Sequence, residues 1–78
     1  MTRNHAQINM ERLTKEVRAK LHEELNALTT QREIAARVGV RPDTMTRIIK
    51  GQIKNPNFQT VARLAKWIDC PMEFFVTG

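Results

Sequence analysis

The stretch from Thr30 to Gly51 leaves the backbone little choice. Thr30-Gln31-Arg32-Glu33 has the form of a capping box: the threonine hydroxyl accepts from the amide of Glu33, and the glutamate reaches back. Gly39 stops the helix that follows, because glycine tolerates the left-handed conformation at a helix C-terminus. Val40 and Arg41 form a short turn. Pro42 suits the first position of a second helix, where its missing N–H would be unpaired anyway. Asp43 puts an acid in that helix's first turn, which the helix dipole favours, and Gly51 ends it.

The apolar positions then fix how the two helices meet. Ile34, Ala35, Val38, Val40, Met45, Ile48 and Ile49 are expected to point inward. Ala35 lies where the helices cross, and a larger side chain there would push them apart. Asp43, Thr44, Thr46, Arg47 and Lys50 are left facing outward on the second helix. Two short helices joined by three turn residues are the helix-turn-helix arrangement, here at about residues 31–50.

The flanking segments complete an all-α reading. Residues 1–8 are polar, lack periodicity and are expected to form a flexible arm. Asn9 is placed to cap a helix, with Glu11 in its first turn. Leu13, Val17, Leu21, Leu25 and Leu28 predict one apolar stripe running to about Leu28, opposite Glu16, Lys20, Glu23 and Glu24. After a polar loop from Gln52 to Pro56, Asn57 is placed to cap a fourth helix that buries Val61, Leu64, Ala65 and Ile68. Pro71 opens a fifth, short helix containing Met72, Glu73, Phe74 and Phe75. Sustained period-two alternation is absent, so no strand is expected. The result is one compact five-helix domain over residues 9–78.

Charge narrows the class of partner. Of the formal net charge of +5, most comes from Arg32, Arg37, Arg41, Arg47, Lys50 and Lys54, set against Glu33 and Asp43. A concentrated basic stripe suits a polyanion such as nucleic acid, and it also suits plain solubility. The one cysteine, Cys70, lies in an apolar stretch and reads as a small core residue. His5 and His22 have no ligand spacing with it or with each other, so no metal or other cofactor is implied. There is no nucleophile–base pair and no phosphate-binding glycine loop, which argues against an enzyme. No apolar run approaches the length of a membrane span, and a cytoplasmic protein is expected.

The residues Gln31-Arg32-Glu33-Ile34-Ala35-Ala36-Arg37-Val38-Gly39-Val40, then Met45 to Gly51, then Pro56 to Ala65, resemble the phage lambda-type repressor and Cro family of DNA-binding domains. The resemblance extends to the short helix at Pro71–Phe75 and covers roughly residues 20–76. It implies a transcriptional regulator that binds double-stranded DNA as a homodimer on a near-palindromic operator. The second helix of the motif enters the major groove and the first crosses the backbone.

The resemblance also implies residue roles. Gln31 matches a phosphate-contacting glutamine, and Lys50 a phosphate contact at the recognition helix end. Pro42, Asp43 and Arg47 match the positions that touch base edges; Thr44 is grouped with them, and Thr46 with the phosphate contacts. Lys54, Asn55 and Asn57 fall in the loop that grips the backbone. Pro42 departs from the family's usual glutamine or serine, so it touches a thymine methyl or only shapes the helix start. Asp43 either accepts from cytosine N4 or stabilises the helix N-terminus. Arg41 is placed to reach a phosphate or a base. Arg47 is the best candidate for base readout, since arginine matches guanine O6 and N7 bidentately. Trp67 and Phe74 are expected to face outward and, with Met72, to form a dimer interface, a position the family often uses. The alternative is an antitoxin or restriction-modification controller that binds a protein partner as well as DNA.

Overall fold

The computed structural model describes residues 7–26, 28–53 and 56–77. The order is β1 (Gln7–Ile8), α1 (Met10–Glu24), α2 (Gln31–Val38), α3 (Pro42–Ile49), α4 (Phe58–Ile68), a 3-10 turn (Met72–Phe74) and β2 (Val76–Thr77). The fold is all-α in its architecture. The fifth helix expected after Pro71 is a single 3-10 turn, so α-helices number four among the described residues.

Two local expectations are corrected. α1 stops at Glu24 rather than near Leu28. Leu25 is already extended, and the Asn26 side chain accepts the Leu28 amide at 2.8 Å. An asparagine bonded to the backbone two residues on offers the chain a turn in place of another helical turn. Leu25 and Leu28 therefore leave the stripe and are 40% and 89% exposed. Gln7 and Ile8, read as the end of the arm, pair antiparallel with Thr77 and Val76. The Asn9 amide extends that ladder to the Phe75 carbonyl at 2.8 Å.

The helix boundaries inside the motif follow from side-chain chemistry. The capping box of α2 is closed in both directions, at 3.2 Å from the Glu33 amide to Thr30 Oγ1 and 3.1 Å from the Thr30 amide to Glu33 Oε1. Gly39 ends α2 at φ +92°, where a side chain would be strained. Pro42 takes the first position of α3. Asn57 caps α4 by accepting from the Thr60 amide at 2.8 Å.

The core lies where all four helices converge. Leu13, Val17 and Leu21 of α1 meet Ile34 and Ala35 of α2, Met45 and Ile48 of α3, and Val61, Leu64 and Ala65 of α4. Phe75 closes the core from the C-terminal side and is fully buried. Val38 and Ile68, expected inside, are half-buried and pack against its edge. Thr14 is the one buried polar residue among those described, and its hydroxyl donates to the Ile48 carbonyl at 3.1 Å. A buried hydroxyl with that partner avoids the desolvation cost of an orphan and ties α1 to the end of α3.

Candidate nucleic-acid interface

α3 is held on three sides. At its C-terminal end, Thr14 bonds the Ile48 carbonyl, and Arg18 Nε donates to the Ile49 carbonyl at 2.7 Å. A guanidinium at a helix C-terminus satisfies an orphan carbonyl and complements the dipole. From α2, Gln31 Nε2 donates to Thr46 Oγ1 at 3.0 Å, while Thr46 Oγ1 donates to the Pro42 carbonyl at 3.0 Å. At the turn, Arg63 of α4 donates to the Gly39 carbonyl at 2.8 Å. Its aliphatic stem packs 3.5 Å from where a Cβ on Gly39 would stand.

What α3 presents outward is polar. Pro42, Asp43, Arg47 and Lys50 are exposed, Arg41 is exposed just ahead of them, and Thr44 is half-buried. No side chain caps the first turn of α3. Arg47 Nε lies 3.5 Å from Asp43 Oδ2, one turn away, with both side chains well exposed. An exposed pair of this kind adds little to stability. Its consequence is geometric: it lays the guanidinium along the outer face of the helix, beside Asp43.

Thr46 is corrected. It was expected to face outward, and it is half-buried with its hydroxyl shared between Gln31 and Pro42. Gln31 is half-buried at the start of α2, oriented by the same bond. Asn57 is exposed, with its side-chain oxygen engaged in the cap of α4. Lys54 and Asn55 lie outside the described residues. An open groove of about 520 Å³ runs beside Gly51, lined by Met10, Glu11, Thr14, Lys15 and Arg18 of α1.

The aromatic cluster behaves differently from the expectation. Trp67 and Met72 do not face freely outward; both are half-buried and pack against the core. Trp67 Nε1 donates to Glu24 Oε1 at 3.0 Å, and Lys20 lies 3.3 Å from the other carboxylate oxygen. The Trp67 bond, helped by Lys20 and Arg37, holds the Glu24 carboxyl below the usual carboxylate range, against an opposing burial effect. Only Phe74 stays substantially open, at 39% exposure. Its ring meets Phe75 edge-on at 5.1 Å, and the Arg12 guanidinium sits 4.7 Å from its centroid.

Sequence reasoning missed the roles of Arg12, Arg18 and Arg63. Each donates to a main-chain carbonyl where a helix or helical turn ends: Phe74, Ile49 and Gly39. Each occupies an outward position of its own helix, so nothing in the pattern distinguishes it from a solvated arginine. Among the described residues, no cluster of His, Cys, Asp and Glu is placed to hold a metal ion, and no helix is long and apolar enough to cross a membrane.

A family model described as Helix-turn-helix matches residues 24–75, from the end of α1 through the buried Phe75. No curated protein and no solved structure matches the chain.

Proposed function

Because the chain belongs to the lambda-repressor-like helix-turn-helix family of DNA-binding transcription regulators, we propose that it acts as a phage-type repressor or Cro-like protein. It binds a near-palindromic operator as a homodimer in the cytoplasm. The observation that supports this most directly is the braced α3, with Asp43, Arg47 and Lys50 on its exposed face and Arg41 at its entry.

In this reading α3 lies in the major groove. Arg47 reads a guanine through O6 and N7, and Asp43, beside it, accepts from a cytosine N4 or steadies the arginine. Pro42 and Thr44 border the same base edges. Arg41, Lys50 and Gln31 hold phosphates, and so do Lys54, Asn55 and Asn57 further along the chain. Thr46 contributes by orienting Gln31. A phosphate at Thr46 would have to compete with two bonds already made.

One recognition helix reads only a few base pairs, so two copies related by a twofold axis are needed to select a site. Their half-site centres stand about 34–36 Å apart, one turn of DNA. Phe74 is the proposed centre of the dimer contact, since it is the most open of the aromatic cluster. Met72 and Trp67 contribute only their exposed edges.

Selection of bound sequences from a random duplex pool tests the reading, followed by titration of the best full site against a single half-site. Two chains on the full site, with tighter binding than to the half-site, are expected. Equal affinity for both DNAs with one chain on each would eliminate the dimer, and no enriched sequence would eliminate the specific regulator.

A further inference from the structure

A second cationic feature lies away from the recognition helix. Arg37 and Val38 in the last turn of α2 face Arg63, Lys66 and Trp67 of α4 across a cleft of about 330 Å³. None of these residues belongs to α3 or to the first turns of α2 and α4. The floor is apolar, made by the half-buried Val38 and Trp67. The rim is three exposed cations.

Those cations are poorly neutralised. Among the described residues, no salt bridge involves Arg37, Arg63 or Lys66. Arg63 spends one guanidinium nitrogen on the Gly39 carbonyl, and four of its five N–H donors remain. Glu33, one turn before Arg37, is turned back to Thr30 by the capping box. Glu24 attracts Arg37 at longer range, but its oxygens are taken by Trp67 and Lys20. An apolar floor ringed by three cations complements a ligand with the reverse layout.

We infer that this cleft docks an acidic segment of a partner protein, one apolar side chain on Val38 and Trp67 and flanking carboxylates on Arg37, Arg63 and Lys66. Arginine presents a fork that matches a carboxylate bidentately, which a peptide acid exploits. A DNA backbone offers charge and no apolar group for the floor. This goes beyond operator binding and does not depend on it.

The chain supplies its own reporter, because Trp67 is its one tryptophan and it has no tyrosine. The full-length protein, without DNA, is titrated with a synthetic peptide of sequence Glu-Glu-Leu-Asp-Glu. A control peptide carries serine in place of leucine. Saturable change in Trp67 emission with the leucine peptide is expected, with about fivefold weaker binding in the Lys66→Glu variant. The substitution is on an exposed side chain, and circular dichroism checks that the variant is folded. The same variant should retain its affinity for a duplex pool within about threefold at physiological salt, where charges more than about 8 Å from the DNA are largely screened. No saturable change, or equal binding of the serine control, overturns the proposal. Loss of duplex binding in this variant also overturns it, because the cleft would then be part of the DNA face.

Discussion

Five arginines of this small domain divide between two regions. Behind the motif, Arg12, Arg18 and Arg63 reach across to carbonyls of other elements at 2.7–2.9 Å. On the motif, Arg41 and Arg47 stand exposed, and among the described residues the ion pair of Arg47 is with Asp43 of its own helix. The residue type is the same and the work differs. One set closes helix ends, with Arg18 and Arg63 bracing α3 and the turn before it; the other lies on the face proposed to meet DNA. A net charge of +5 thus does not by itself say which face a polyanion meets, because some of these cations are anchored to main-chain carbonyls.

The comparison breaks most visibly at the core that both regions share. Phe75→Ala should cost about 3–5 kcal/mol and leave little folded domain, read by urea unfolding. Phe74→Ala, one residue earlier and partly open, should leave the monomer helical and reduce cooperative binding to a two-half-site operator.

Next in size is Arg47→Ala. We expect a loss of about 1–3 kcal/mol on the best DNA site, with base preference relaxed at one position. Unfolding should move by less than about 0.5 kcal/mol. Equal losses on selected and random duplexes would reassign Arg47 to a phosphate.

Arg18→Gln inverts that pattern. Removing the donor to the Ile49 carbonyl should lower stability by about 0.5–1.5 kcal/mol and leave base preference intact. An unchanged unfolding midpoint with altered preference would move Arg18 into the exposed set.

Lys50→Gln sharpens the exposed set itself. Binding should weaken on all sequences, and the slope of log K against log salt should shrink by about one unit. An unchanged slope would place Lys50 away from the backbone.

The smallest effect concerns Glu24. Its carboxyl is held below the ordinary range chiefly by Trp67. A depressed folded-state value means the contribution is present above the unfolded value and is lost as pH falls through the folded one. Acid unfolding should therefore begin at higher pH in Glu24→Gln, and Trp67 emission should change across the same acid range in the parent protein. A parent and variant with superimposable acid limbs would remove the linkage.

Much of the motif was legible because its determinants are local. Thr30 and Glu33 are three residues apart, and Gly39 and Pro42 act through their own backbones. That Asp43 and Arg47 face outward followed from helical spacing; a base-edge role for them is what the family resemblance implies. What failed was decided by competition or by distance. The leucine stripe predicted more helix than formed, because Asn26 captured the Leu28 amide. Thr46 looked outward by period, and Gln31, fifteen positions away, turned it to a helix–helix bond. Trp67 read as surface until Glu24 supplied a partner for its N–H. Two-residue strands carry too few side chains to show alternation at all.

Those two strands bear on the order in which the molecule assembles. Gln7 pairs with Thr77, and Arg12 reaches the Phe74 carbonyl across a sequence separation of 62. Closing so long a loop gives up chain entropy before any contact repays it, whereas α2 and α3 meet across a three-residue turn. The helix-turn-helix is therefore expected to nucleate from neighbours, and the clasp between the ends to form late and to open first. Amide exchange should show it: the Asn9 N–H should exchange well ahead of those of Met45 and Ile48, through a local opening that never releases α3.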